Sequence, residues 1–276
     1  VTPLRRDELK WIYGTAWKEE ATAGLTRQAI GAGFRAIDTA NQRKHYLEAG
    51  VGQAVSEALA RGLAREDLFL QTKFTHRGGQ DHRLPYDDAA PIAAQVEQSF
   101  ASSLDHLGVS HVDSYLLHGP QGRKGLSAGD WEAYRAMERL EEGGKALAIG
   151  ISNVTLEQLE ELCARATVKP GYVQNRCYAS RGWDRGVRAY CAGHGITYQA
   201  FSLLTANREV LAHPTVRAIA AGTKRTPSQV VFRFAIHAGM VAMTGTTSPV
   251  HMTEDLSILS WELSGDEVKT IEALFG

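Results

Sequence analysis

Short, nearly continuous apolar runs alternate along this chain with longer stretches whose apolar residues recur every three or four positions. The runs Phe34–Asp38, Leu68–Phe74, Asp113–His118, Ala146–Ser152, Tyr172–Cys177, Ile196–Ser202, Met240–Thr244 and Leu256–Trp261 read as strands covered on both faces. Helical spacing fills the gaps. Ala21–Ala32 stops at Gly33, and Glu48–Arg61 follows the first strand. Pro91–Leu107 carries Ile92, Val96, Phe100 and Leu104 on one face, and Asp130–Glu142 runs out at Gly143-Gly144, a C-terminal stop. Leu156–Arg165, Gly186–His194, His213–Thr223 and Ser228–His237 continue the pattern. Ser264–Phe275 opens with Ser264 and Glu267 spaced as a capping box.

Strand and helix in strict alternation predict an α/β fold, a closed (β/α)8 TIM barrel in one domain over residues 1–276. Residues 1–33 are then a lead-in to the first strand, forming a plug or hairpin over the barrel bottom. The rival, an open doubly wound sheet, needs a GxGxxG turn after its first strand. Here Asp38 is followed by Thr39-Ala40-Asn41-Gln42. The longest irregular stretch, Thr75–Ala90, follows a strand and so belongs to the face where barrels place their chemistry.

Charge narrows the partners. Lys and Arg number 30 against 31 Asp and Glu, a net charge of −1, which argues against a polyanion-binding surface and so against nucleic acid. The three cysteines form no CxxC pair, and His76 and His82 have neither a nearby Cys nor an HExxH spacing, so no metal site is expected. No apolar run approaches the ~18 residues of a membrane span. The charged start, Val1–Trp11, has no signal-peptide core. These features lead to an expectation of a cytoplasmic protein, a monomer by default.

Polar residues at strand ends carry the candidate chemistry. Asp38, Lys73 and His118 end or nearly end the first three expected strands, Ser152 and Asn153 follow on the fourth, and Gln174 and Asn175 lie in the fifth. A lysine walled in by strands loses hydration and needs an anion, which Asp38 supplies. The pair is expected to pull a neighbouring tyrosine below its ordinary pKa, making it a proton donor. A carbonyl oxygen that receives a hydride needs such a proton, and His118 can hydrogen-bond the same oxygen. A structural ion pair or a Schiff-base lysine uses similar residues.

The segments Gly14-Thr15-Ala16-Trp17-Lys18, Gly33–Ala40, Leu68–Phe74, Val112–Pro120, Gly144–Asn153 and Gly245–Asp255 together resemble the aldo-keto reductases, in that family's order. The resemblance implies an NAD(P)H-dependent barrel enzyme that transfers hydride to an aldehyde or ketone. It aligns Asp38, Lys73 and His118 with three members of an Asp-Tyr-Lys-His tetrad. Extra residues after Asp38 shift the fourth: Tyr46 is the expected proton donor, with His45 standing at the family's spacing from Glu48 and Val51-Gly52. For the coenzyme it implies Thr15, Trp17 and Asp38, then Ser152, Asn153 and Asn175 at the nicotinamide carboxamide, Asn175 replacing the usual Gln. Phe201 is expected to stack on the nicotinamide ring, with Ser202 and Leu204 beside it. At the adenosine end stand Gly245, Thr246, Thr247, His251, Glu254 and Asp255, without the family's frequent Lys and Arg. NADPH is the expected coenzyme, and NADH stays open. Gly119, where a Trp is common, and the end at Gly276 imply an open pocket, with Trp183, Tyr86 and His82 as candidate walls. A coenzyme-binding barrel that senses redox state with little turnover is the alternative.

Overall fold

A computed structural model describes residues 8–275. Its parallel strands close on themselves: β1 (Trp11–Gly14), β2 (Ala36–Asp38), β3 (Phe69–Phe74), β4 (Ser114–Leu117), β5 (Ile149–Ser152), β6 (Tyr172–Arg176), β7 (Thr197–Phe201) and β8 (Val241–Thr244). The surrounding helices are α1 (Thr22–Ala32), α2 (Glu48–Ala60), α3 (Ile92–Leu107), α4 (Ala128–Glu142), α5 (Leu156–Arg165) and α6 (Arg185–Gly193). They continue with α7 (Arg208–Ala212), α8 (Pro214–Thr223), α9 (Pro227–His237), α10 (Pro249–Ser257) and α11 (Gly265–Glu272). The architecture is the expected (β/α)8 barrel, and no helix among the described residues is long and apolar enough to cross a membrane.

Two expected elements are corrected. Trp11–Gly14 is no lead-in but a wall of the barrel, pairing with β8 through Trp11↔Ala242, Ile12↔Met243 and Tyr13↔Thr244. Its four residues sit beside a charged stretch, too short a run for the pattern to register. Trp11 and Tyr13 pack outward on Phe34, and Trp11 also meets Phe232, while Ile12 fills the interior. Residues 1–7 of the expected lead-in lie outside the described residues. Leu256–Trp261 is not a strand. Once β1 closes the sheet against β8, no edge remains for it. It forms the end of α10 and a 3-10 turn at Ile258–Ser260, and the buried Met252, Asp255 and Ile258 recur at helical spacing.

Side chains alternate across each strand, so a barrel strand feeds the interior at every second residue. In β3, Leu70 and Phe74 join the large core between strands and helices, whereas Phe69, Gln71 and Lys73 point inward. The interior therefore changes with height. Ile12, Phe69, Leu116 and Tyr172 fill the bottom. Gln71, Gln174 and Gln199 form a polar middle layer, and the reactive groups stand above them.

Behind the mouth, α2 and α3 cross closely at Gly52, where a Cβ would collide with the carbonyl oxygen of His106. Glu48, in the first turn of α2, is buried and accepts from Thr72 Oγ1, Ser103 Oγ and His106 Nδ1. This ties the outer face of β3 to both helices and fixes the start of α2, two residues after Tyr46.

Candidate active site

Lys73 and Asp38 are the deepest reactive groups, with side-chain exposures of 0% and 2%. The Lys73 Nζ donates to both Asp38 oxygens at 2.6 Å and to the Thr39 carbonyl at 2.8 Å, which uses all three of its protons. Asp38 Oδ1 also accepts from Gln71 Nε2 (2.7 Å) and Gln174 Nε2 (3.0 Å). Gln71 and Gln199 exchange amide hydrogen bonds at 2.8 and 2.9 Å. The carboxylate is thus held by two strands besides its own, β3 and β6, and Gln199 of β7 ties the two glutamines together. Burial lowers the Lys73 pKa, an effect that Asp38 opposes. Gln71 and Gln199 were not singled out from sequence; counting back two residues from Lys73 and from Phe201 finds them.

Tyr46 and His45 sit side by side but do different things. The carbonyl of Gln42 accepts from both His45 N and Tyr46 N at 3.0 Å, a tight turn that takes up the extra residues after Asp38. The His45 ring lies over Trp17, with centroids 3.8 Å apart, and its Nδ1 meets Gln42 Oε1 at 2.8 Å. Tyr46 is the one that faces the strand-end group: its ring is edge-on to His118 at 5.9 Å, and Lys73 Nζ is 5.4 Å from its centroid. The expected acidification of this phenol is not what the arrangement gives. Burial holds its pKa above the ordinary value, and the Asp38 carboxylate pushes the same way. With Lys73 neutralised by Asp38, desolvation wins.

His118 follows β4 and borders the cavity, and its Nδ1 lies 2.7 Å from Thr75 Oγ1. Burial, helped by Lys73 and His45, pushes its pKa down to about 3, so the ring is neutral in neutral solution. Thr75 and His76 continue from β3 onto the same wall, where His76 Nε2 is fixed by Asp130 Oδ1 at 3.0 Å.

One cavity of about 1130 Å3 joins these groups to the rest of the barrel mouth. Trp17, Asp38, Tyr46, His118, Ser152 and Asn153 border it at the reacting end. Phe201, Ser202 and Leu204 continue the lining, with Ser202 in the left-handed region at φ 58°. Gln174 faces the cavity and Asn175 does not. Adjacent residues of a strand point to opposite faces, and Asn175 is turned outward, bonded to the Val154 backbone and to Asp184 Oδ2. Of these two residues, only Gln174 is placed to reach a ligand in the cavity, against the expectation for Asn175. Arg176, also unnoticed in sequence, borders the cavity with its guanidinium 5.4 Å from the Phe201 centroid.

The far end is lined by Gly245, Thr246, His251, Glu254 and Asp255. Thr247 stands outside the lining, as does Thr15, whose hydroxyl donates to the Asp38 carbonyl at 2.8 Å. Lys18, missed from sequence, is buried with its Nζ 2.7 Å from the Gly245 carbonyl, and burial brings its pKa down to about 8. Asp255 is 4% exposed, and burial raises its pKa to about 6. The three candidate wall residues do not border the cavity. Trp183 is buried against Phe234, Tyr86 is buried with its hydroxyl on the Thr75 carbonyl, and His82 is on the surface.

The sequence profile of the aldo/keto reductase family matches residues 9–275. The chain belongs to the aldo/keto reductase family. It is 32% identical over 271 residues to a glyoxal reductase of Bacillus subtilis (strain 168), covering 97% of this chain and 89% of that protein. It is 31% identical, with the same coverage, to YtbE of that organism, an uncharacterized oxidoreductase. A crystal structure of an aldo/keto reductase from Brucella melitensis superposes with a TM-score of 0.80 at 27% identity, covering 95% of this chain and 93% of that one.

Aldo/keto reductases use nicotinamide coenzymes in general, and the cavity of this one fits such a group unevenly. Amide and hydroxyl groups of Ser152, Asn153 and Gln174 lie near an aromatic face at Phe201, which suits a nicotinamide ring and its carboxamide. The adenosine end offers hydroxyls, His251 and the N-terminus of α10, but its lining has no Lys or Arg for a 2′-phosphate.

Proposed function

We propose that this aldo/keto reductase is an NAD(P)H-dependent carbonyl reductase acting on an aldehyde or ketone, with Tyr46 as proton donor. The observation that carries it is the convergence of Tyr46 and His118 over the buried Asp38–Lys73 pair, bordering a cavity of about 1130 Å3. Ser152, Asn153, Gln174 and Phe201 would hold a reduced nicotinamide, which would supply the hydride for the carbonyl carbon. Tyr46 keeps its proton at Oη at neutral pH, because burial holds the phenol protonated. An alkoxide is a stronger base than a phenolate, so the developing alkoxide draws that proton even from a phenol of raised pKa. Neutral His118 orients the carbonyl oxygen by hydrogen bonding. Lys73, with its protons on Asp38 and Thr39, stands 5.4 Å from the Tyr46 ring centroid and braces the floor under the phenol. Trp17 and His45 narrow the mouth above the reacting groups.

NADPH is the coenzyme favoured by the family resemblance, and the cation-poor adenosine end leaves NADH in competition. Fluorescence titration with each coenzyme, followed by a panel of aldehydes and ketones at nicotinamide absorbance, tests the reading. Expected are saturable binding and oxidation of the reduced coenzyme. Absence of binding overturns it. Tight binding with no turnover on any carbonyl compound favours the redox-sensing alternative, which has one observation on its side: Lys73 makes no hydrogen bond to the Tyr46 hydroxyl.

A further inference from the structure

The geometry points to Thr75 as the residue that decides which nitrogen of His118 carries the proton, leaving Nε2–H to face the reacting carbonyl. Phe74 and Leu117 are register partners in β3 and β4, so the chain brings the next residue of each strand, Thr75 and His118, together above the sheet. Thr75 Oγ1 and His118 Nδ1 are 2.7 Å apart. Both backbones are held: the Thr75 carbonyl accepts from Tyr86 Oη at 2.8 Å, His118 N donates to the Phe74 carbonyl at 2.8 Å, and Asn153 Nδ2 donates to the His118 carbonyl at 2.9 Å.

A neutral imidazole has one N–H, and its place follows from the hydrogen bond that the other nitrogen makes. Burial keeps His118 neutral. If Nδ1–H donated to Thr75 Oγ1, the threonine hydrogen would need another acceptor. Thr75 is 5% exposed, and its hydroxyl makes no second hydrogen bond among the described residues. That arrangement leaves the threonine donor without a protein acceptor, whereas the reverse one satisfies both groups of the pair. In the other, Thr75 donates to Nδ1 and the proton sits on Nε2, on the cavity side. A carbonyl oxygen only accepts, so this tautomer alone can bind it, and the bond strengthens as negative charge grows on that oxygen. Thr75 is therefore a positioning residue, acting through His118.

The consequence for turnover rests on the carbonyl-reductase reading, whereas the tautomer does not. Long-range proton–nitrogen NMR of the imidazole in 15N-histidine protein reads the tautomer directly in the wild type and in Thr75→Ser and Thr75→Val. A single Nε2–H form is expected in the wild type and in Thr75→Ser, and a mixture in Thr75→Val. The kcat of Thr75→Val is expected to fall about tenfold, short of the loss of a whole oxyanion donor, with rescue by Thr75→Ser and unchanged coenzyme affinity. Thr75→Ala, which removes the hydroxyl without adding a clash, gives the same readout if the Val variant fails to fold. An Nδ1–H form in the wild type, or a single unchanged tautomer without the hydroxyl, overturns the assignment. The expected tautomers without turnover of any carbonyl compound defeat the reductase reading and leave Thr75's role standing.

Discussion

The two ends of the cavity are built on opposite electrostatic terms. At the reacting end each buried charge has a counterpart: Lys73 spends its protons on Asp38 and Thr39, and Asp38 is held further by two glutamines. At the adenosine end Asp255 is buried with no Lys or Arg in the lining beside it, and Glu254 adds a second carboxylate. Strand ends and a packed interior support the first end. The second is carried by a loop and a nine-residue helix. Paired charges in a rigid frame preset a reaction, whereas a carboxylate with only the Thr244 hydrogen bond and the His251 imidazole to offset its burial leaves ligand choice and pH response unsettled by the scaffold.

The strongest way to break this contrast is Tyr46→Phe. Turnover should fall by about 10²–10⁴, the range for loss of a positioned proton donor, while coenzyme affinity by fluorescence titration stays near the wild-type value. Rates like those of the wild type would move the role to His45. Next is Lys73→Met, which leaves Asp38 as a buried carboxylate without its cation. Urea unfolding should show a loss of about 3–5 kcal/mol. Adding Asp38→Asn should recover part of it, and an additive double variant would mean that the pair is not coupled.

The reacting end was largely legible in the sequence because barrels put their chemistry where strands stop, and Asp38, Lys73 and His118 stand at such stops. The two-residue period of a strand carries more of this end than the strand stops do. It separates Gln174, facing in, from Asn175, facing out, and it leads from Lys73 back to Gln71. Trp11–Gly14 escaped because four residues carry too little period to stand out from charged neighbours. Leu256–Trp261 misled because a short apolar run looks alike in a strand and in a helix end. Thr75 left no trace, since a threonine after a strand is ordinary until its imidazole partner is in place. The Tyr46 pKa depended on a balance between burial and a neutralised lysine, which spacing cannot reveal.

The smallest expected effect sharpens the adenosine side of the contrast. Burial raises Asp255 to about 6, against an ordinary aspartate near 3.8, so the folded protein binds a proton there more tightly than the unfolded chain does. A group raised in this way stabilises the fold fully below its unfolded pKa, and that contribution is lost as pH climbs through the folded value. Stability should therefore drop by about 2–3 kcal/mol between roughly pH 4 and 6 on account of this group. Asp255→Asn removes the ionisation but keeps a polar side chain next to Thr244, which bonds the carboxyl in the wild type. Urea unfolding at pH 4 and at pH 7 separates the two forms: the variant should be the more stable at pH 7 and have lost this component of the pH dependence. An unchanged slope would mean that Asp255 ionises as freely in the fold as out of it, and the adenosine end would then be as well compensated as the reacting one.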